Sequence, residues 1–112
     1  MPRAARRQTA AAHIPCMVKR IVKRFHPQQI ILFGSHARGE AGPDSDVDLL
    51  VVMPVRGSVR NKRLAIRAAL RDMPFPIDII VTTPEEFAWR KDVVGTIEWP
   101  ATREGKVLYV QA

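Results

Sequence analysis

The stretch GSHARGEAGPDSDVDLLVV, residues 34 to 52, contains the most informative pattern of the chain, a Gly-Ser pair followed by an Asp-x-Asp pair. Its Gly34-Ser35 follows the apolar run Ile30-Ile31-Leu32-Phe33, and a glycine and a small hydroxyl side chain at a strand-to-helix turn allow close approach of a phosphate. After ten further residues, Asp46-Val47-Asp48 opens a second apolar run. Alternation along a strand places both carboxylates on one face, about 6 to 7 Å apart at the backbone. The pattern predicts a site for nucleotide phosphates and divalent cations.

A third carboxylate, Asp78, lies between Ile77 and Ile79 in another apolar run. An ionised carboxylate in an apolar strand is costly unless it is paired or binds a metal. If the strands of Asp48 and Asp78 are neighbours, the three carboxylates converge and repel one another until cations neutralise them. Two magnesium ions about 3.5 to 4 Å apart are the usual arrangement for in-line displacement at phosphorus. We therefore predict that Asp46, Asp48 and Asp78 bind two Mg²⁺ ions, and that Asp78 is a candidate to take the proton of the attacking hydroxyl.

The predicted nucleotide-binding residues are Gly34, Ser35 and Arg38. Backbone N–H groups after Gly34, with the Ser35 hydroxyl, are expected to bind the terminal phosphates of a nucleoside triphosphate. Arg38 can support the same charge, although an exposed helix arginine without a specific task explains it nearly as well. Each motif alone is also explained by a turn, a helix cap or an acidic loop. Their joint order and spacing favour a functional site.

Apolar periodicity predicts a mixed α/β (α+β) fold in which helices flank a small mixed sheet. Amphipathic helices are expected from about Ile14 to Phe25 and from Ser58 to Arg71, and a short helix begins at Pro84. In the second helix we expect Val59, Leu64 and Ala68 to pack inward, with Ile66 and Leu70 as further members of that face. Strands are expected over Gln29–Phe33, Asp46–Met53, Phe75–Val81 and, as an edge strand, Lys106–Val110.

Length and composition indicate one globular domain of 112 residues, 46% of them hydrophobic. We expect residues 1–12, rich in Arg and Ala, to be a flexible lead-in and residues 13–112 to form the single domain. The single Cys16 and the lack of a membrane-length apolar run lead us to expect a cytoplasmic protein without membrane contact. The net charge of +7 favours phosphate-bearing partners or acidic protein faces. Nucleic acid is not the favoured partner, because the aromatic residues do not alternate with the basic ones.

The motif Gly34-Ser35, followed after ten residues by Asp46-x-Asp48, resembles the signature of the polymerase-beta-like nucleotidyltransferase superfamily. The fuller string is similar to the minimal nucleotidyltransferase (MNT) domain proteins, and the resemblance covers about residues 14 to 110, including the REGKVLY segment. It implies the polymerase-beta-like fold, with Asp46, Asp48 and Asp78 at metal positions and Gly34 and Ser35 at triphosphate positions. Minimal members are commonly antitoxins of a helical HEPN-domain ribonuclease, and active ones transfer AMP from ATP to a tyrosine of that toxin.

The resemblance thus implies a Mg-dependent enzyme with ATP as donor, a HEPN toxin as partner and a hetero-oligomer. Two other interpretations stay open. A small-molecule nucleotidyltransferase would be active without a protein partner, although the chain has no acceptor domain. A non-catalytic antitoxin or binding module would neutralise its partner by contact or touch nucleic acid through its basic faces, and Asp46→Asn and Asp48→Asn would then leave its function intact.

Overall fold

A computed structural model describes residues 10–42 and 44–112. The helices are α1 (Ala10–Phe25), α2 (Ser35–Arg38), α3 (Val59–Ala69), α4 (Pro84–Arg90) and α5 (Glu98–Glu104). The strands are β1 (Gln29–Phe33), β2 (Val47–Val52), β3 (Ile77–Thr82) and β4 (Lys106–Val110). The predicted mixed α/β fold with a small mixed sheet and flanking helices is confirmed.

The four strands form one sheet in the order β3-β2-β1-β4. Strand β1 is antiparallel to both β2 and β4, whereas β2 and β3 are parallel. Parallel neighbours need a crossover connection, and α3 lies within it. The end of β1 and the beginnings of β2 and β3 therefore lie side by side at one edge of the sheet, the edge that is formed by strand ends and not by an outer strand.

The two faces of the sheet are packed differently. Residues Val47, Leu49 and Val51 of β2 belong to the main core, which also contains the buried side chains of α1 and α3. The alternate residues of β2 point to the opposite face, where Leu50 and Ile31 pack with Ala101 of α5 in a smaller cluster. By the same alternation, Asp48 and Asp78 lie on the face of this smaller cluster.

Helix α1 begins earlier than the sequence indicated. Residues 10 to 12, which we predicted to be part of a flexible lead-in, are helical. Residues 1–9, the rest of that predicted lead-in, lie outside the described residues. No helix in the described ranges is long and apolar enough to cross a membrane.

The predicted inward face of α3 is wrong in part. Ile66 and Leu70 are fully buried, whereas Val59 and Leu64 are 37% and 47% exposed and Ala68 is also exposed. Successive residues in a helix are rotated by about 100°, so positions two before and two after Ile66 point away from the sheet when Ile66 faces it. The four-residue spacing of Ile66 and Leu70 forms the buried stripe.

The edge strand β4 has the predicted bounds, and Gly105 explains how it reaches its place. A Cβ atom at Gly105 would lie 2.2 Å from the carbonyl oxygen of Ala101 and 2.8 Å from that of Leu32. The end of α5 therefore packs directly onto the backbone of β1, and the chain enters β4 from there. Helix α5 was not among the helices predicted from the sequence.

Candidate active site

Asp48 and Asp78 are paired in register on the parallel strands β2 and β3. Neighbouring strands are about 4.8 Å apart, and both residues point to the same face of the sheet. On the other side of Asp48, its register partner in β1 is Phe33, the last residue before Gly34. The strands of Asp48 and Asp78 are thus neighbours, as the convergence of the carboxylates requires. The Gly34-Ser35 turn lies beside the two carboxylates at this edge.

Gly34 has a backbone conformation that other residues rarely adopt. Its φ of 74° and ψ of −157° lie in a region that is essentially restricted to glycine. A Cβ atom there would lie 2.1 Å from Oδ2 of Asp48. The missing side chain therefore provides the space that the Asp48 carboxylate occupies.

Ser35 begins the short helix α2. Gly34 precedes this helix as its N-cap residue, and its carbonyl oxygen accepts hydrogen bonds from the backbone N–H groups of Ala37 and Arg38, at 3.1 and 3.2 Å. Gly39 ends the helix in the left-handed conformation and donates its N–H to the carbonyl oxygen of Ser35. The Ser35 hydroxyl has no hydrogen-bond partner among the residues that the structure describes. It is therefore free to bind a ligand.

Asp46 comes immediately before β2 and is exposed. The beginning of β2 is fixed to the segment before β3 by a hydrogen bond of 3.0 Å from the Val47 N–H to the Pro76 carbonyl oxygen. The loop before Asp46 is held against α2, because Nε2 of His36 lies 3.4 Å from the carbonyl oxygen of Ser45. The Asp46 backbone is thereby anchored on both sides.

Asp48 is the acid of this edge whose ionised form is disfavoured by its surroundings. Partial burial is the main cause that raises the pKa of its carboxyl group, and the nearby charges of Asp78 and Asp46 raise it further. His36 and Arg38 oppose this rise with positive charge. A cation would relieve the repulsion that these acids impose on Asp48.

The acidic side chains are near one another without forming a ready ligand set. Within the described ranges, no three His, Cys, Asp or Glu side chains are grouped so that they could hold a metal ion. The donor chemistry nevertheless fits Mg²⁺, which prefers carboxylate oxygens. Metal ligation by Asp46, Asp48 and Asp78 remains a prediction, and it requires their side chains to move together when an ion binds.

Arg38 lies at the site but has protein partners. Its Nε donates to Oε1 of Glu40 at 2.9 Å, and one of its terminal nitrogens is 3.7 Å from Oε1 of Glu104 at the end of α5. The hydrogen bond to Glu40 is the main cause that raises the pKa of Arg38. For Arg38 to bind a phosphate, it would have to exchange at least one of these carboxylates for the ligand.

A buried carboxylate that was not predicted from the sequence lies at the opposite end of the sheet face that carries Asp48 and Asp78. Glu98 is 3% exposed, and its Oε2 accepts hydrogen bonds from Thr82 Oγ1 at 2.8 Å and from Arg90 Nε at 3.0 Å. It connects α5 to the end of β3 and to α4. The signal in the sequence was an acid between two large apolar residues, Ile97 and Trp99. Glu98 is a structural residue, since Thr82 lies four residues beyond Asp78 along β3.

Comparison with known proteins shows the family of this chain. Residues 15–100 match the family described as the nucleotidyltransferase domain. The chain belongs to this family. Over 43 residues it is 40% identical to a protein of Methanocaldococcus jannaschii provisionally named a protein adenylyltransferase, a match that covers 38% of this chain and 43% of that protein. The matched segment thus spans less than half of the length of this curated relative.

Solved structures show the same nucleotidyltransferase fold. A provisionally assigned nucleotidyltransferase from Sulfolobus solfataricus matches with a TM-score of 0.56 and 23% identity, over 85% of this chain and 75% of that one. A variant of the toxin-antitoxin MntA-HpeT matches with a TM-score of 0.63 and 17% identity, over 87% and 72% of the two chains. A toxin-antitoxin with AMP-PNP matches with a TM-score of 0.62 and 16% identity, over 88% and 74%.

Proposed function

We propose that this nucleotidyltransferase domain transfers AMP from ATP to a tyrosine hydroxyl of a HEPN-domain toxin and thereby acts as an antitoxin in the cytoplasm. The observation that carries the proposal is the placement of Asp48 in register with Asp78 and against Gly34. This places a free hydroxyl, two strand carboxylates and a glycine turn at one edge of the sheet. We propose that the triphosphate and the acceptor hydroxyl bind at that edge.

In the proposed reaction, the tyrosine oxygen attacks the α-phosphorus of ATP. A new oxygen–phosphorus bond forms, the bond from the α-phosphorus to the oxygen that bridges to the β-phosphate breaks, and pyrophosphate leaves. Asp78 is exposed at the site and is proposed to take the proton of the tyrosine hydroxyl. The Ser35 hydroxyl and the backbone after Gly34 are proposed to bind the terminal phosphates. Arg38 is proposed to neutralise part of their charge.

Asp46, Asp48 and Asp78 are the proposed ligands of two Mg²⁺ ions. When bound, these ions would neutralise the triphosphate and lower the pKa of the acceptor hydroxyl. The raised pKa of Asp48 supports a cation at this position, because partial burial and then the nearby carboxylates disfavour its ionised form as long as no positive charge balances it. The space left by Gly34 supports it as well, since it keeps the Asp48 carboxylate at the phosphate-binding turn.

A protein acceptor is favoured over a small molecule by the openness of the site. Asp46 and Asp78 are both exposed, and the described residues form a single sheet with no further domain to cover them. A partner protein would supply the missing wall together with the hydroxyl. The name of the Methanocaldococcus jannaschii relative, a protein adenylyltransferase, supports the same choice. The fold shared with toxin-antitoxin structures, one of them with AMP-PNP, supports a toxin as the partner.

One observation favours a second candidate, an antitoxin that neutralises its toxin by contact alone. The three aspartates are not grouped as a metal site in the described ranges. If they never bind metal, the domain would retain the fold without the reaction. A catalytic antitoxin needs Asp46 and Asp78 to neutralise its toxin in cells, whereas an antitoxin that acts by contact does not.

A growth assay separates them. The test partner is the protein of the neighbouring reading frame, accepted as a HEPN toxin if it is helical and carries an Arg-x4-6-His motif. We expect wild-type protein to restore growth of cells that express this toxin, and Asp46→Asn and Asp78→Asn to fail although they accumulate and fold normally. The matched control Glu85→Gln alters an exposed acid of α4 and should restore growth fully. Full rescue by both aspartate variants would reject the catalytic proposal and support contact alone.

A further inference from the structure

A groove with a volume of about 930 Å³ lies between α1 and the edge strand β4. It is on the α1 side of the sheet, opposite to the face that carries Asp48 and Asp78. Apolar side chains from both elements line it, and four of them are half-buried: Val18, Val22, Leu108 and Tyr109. The walls of the groove are therefore apolar surface that the described residues leave partly uncovered.

Two ammonium groups border this apolar surface. Lys19 and Lys23 line the groove, are exposed, and have no hydrogen bond or ion pair with any described residue. They are four residues apart on α1 and so lie one turn above the other on the same side of the helix. Arg20, in contrast, is held by Asp72 and by the carbonyl oxygen of Ala69. The two lysines supply unneutralised positive charge along one side of the groove.

We propose that this groove is a docking site for an amphipathic helix of a partner protein, with its apolar stripe on the groove and acidic residues facing Lys19 and Lys23. The lining residues of α1 run from Ile14 to Arg24, about 15 Å along the helix, which matches a docked segment of about three turns. Carboxylates on the partner would complement the lysines and orient the helix in the groove.

Charge disfavours the two occupants that this chain could supply. A second copy would bring its own Lys19 and Lys23 towards the same positive border. The segment 1–9 carries three arginines and no acidic residue, so it offers the lysines no partner. The charge of the groove therefore favours a different chain with acidic character as the partner.

The docking site does not depend on the catalytic proposal. It is on the other face of the sheet, so a helix bound there leaves Asp48 and Asp78 uncovered. A binding measurement that uses no ATP tests the groove alone, and its failure would leave the proposed reaction untouched.

Cys16 provides the readout, because it is the only cysteine of the chain, is exposed and lines the groove. The probe is a synthetic amphipathic peptide of about 18 residues with leucines at helical spacing and glutamates on both flanks. We expect this peptide to slow alkylation of Cys16 in the full-length protein in a saturable manner. Two control peptides have the same leucines, one with a central proline that breaks the helix and one with lysines in place of the glutamates.

Charge-reversal variants then test the border of the groove. Lys19→Glu with Lys23→Glu should weaken peptide binding by about tenfold. The matched control, Arg56→Glu with Arg60→Glu, changes the net charge equally at exposed positions that do not line the groove, and should leave binding within about twofold. Val22→Thr keeps the shape of the half-buried side chain while it removes apolar surface, and should weaken binding about threefold.

Several outcomes would overturn the proposal. Equal protection by the proline peptide would exclude a helix as the occupant, and equal protection by the lysine peptide would exclude an acidic one. Protection that grows with protein concentration in the absence of peptide would identify a second copy as the occupant. Protection by a single-stranded RNA but not by the acidic peptide would identify the groove as a nucleic-acid surface.

Discussion

Oδ2 of Asp48 lies 2.1 Å from the position that a Cβ atom at Gly34 would take, so the two residues share one space at the edge of the sheet. Gly34 directly follows β1, and Asp48 is the second residue of β2. The proposed phosphate-binding turn and the proposed metal ligand are therefore fixed relative to each other by direct contact. This contact joins the Gly-Ser turn and the Asp-x-Asp pattern structurally.

Gly34→Ala should destabilise the fold by about 2 to 3 kcal/mol, because it adds a strained backbone conformation to the clash with Asp48. Gly57 is a matched control, since its φ is +84° and a Cβ atom there would meet nothing within 4 Å. Gly57→Ala should therefore cost only the backbone strain, about 1 kcal/mol. Urea unfolding measures both. Equal losses at the two glycines would contradict the close contact.

A double-mutant cycle isolates the contact itself. In an Asp48→Ala background the carboxylate is gone, and Gly34→Ala should cost about 1 kcal/mol less than it does in the wild type. An unchanged cost in both backgrounds would show that the side chain of Asp48 is not what limits position 34.

Asp48 should destabilise the metal-free fold at neutral pH. Its folded-state pKa is raised, so the stabilisation from its protonated form is complete below the unfolded value of about 3.9 and is lost as the pH rises through the folded value. We expect Asp48→Asn to raise the Tm by about 2 to 4 °C at pH 7 and to have little effect at pH 3. Scanning calorimetry without divalent cations measures this. A lower Tm for the variant at pH 7 would show that burial and the nearby carboxylates do not make ionised Asp48 destabilising.

Magnesium should stabilise the wild type and not the Asp48→Asn variant. At pH 7 and constant ionic strength, Mg²⁺ should raise the Tm of the wild type and leave Asp48→Asn unchanged, because the ion would neutralise the carboxylates around Asp48. Thermal unfolding in MgCl₂ and in NaCl of matched ionic strength gives the comparison. Equal shifts in wild type and variant would indicate that any Mg²⁺ effect arises elsewhere.

Glu98 should be important for stability and not for nucleotide binding. Glu98→Ala removes the acceptor for Thr82 and Arg90, and should lower the free energy of unfolding by about 2 kcal/mol. The exposed control Glu85→Ala should change it by less than about 0.5 kcal/mol. The ATP affinity of the folded Glu98→Ala protein should remain that of the wild type in equilibrium binding. A stability loss no larger than the control's would contradict the structural role.

Arg38 is the predicted nucleotide-binding residue that the structure places in protein contacts. If it exchanges Glu104 for phosphate, Arg38→Gln should weaken ATP binding by about tenfold. Glu104→Gln should then tighten ATP binding slightly, because it releases the guanidinium. Titration calorimetry of both variants, with Arg56→Gln as an exposed arginine control, tests the exchange. Parallel loss of affinity in the Arg38 and Glu104 variants would mean that the ion pair itself positions the site.

Local patterns predicted the elements well. Strands β1 and β4 have the predicted bounds, since a continuous apolar run and a Glu-Gly turn are signals within a few residues. The pairing of Asp48 with Asp78 could be stated only as a condition, because nothing local shows that β2 and β3 are parallel neighbours. The inward face of α3 was predicted only in part and the role of Glu98 was missed, because both depend on contacts with residues distant in the sequence.

The most direct test of the central claim is intact-mass spectrometry of the HEPN-type partner after incubation with this protein, ATP and Mg²⁺. The proposed function predicts a gain of one or more AMP units with wild-type protein and with the control Glu85→Gln, and no gain with Asp48→Asn. A partner that is bound and silenced without any gain in mass would contradict it. The carboxylate edge would then be a part of the fold and not a site of reaction.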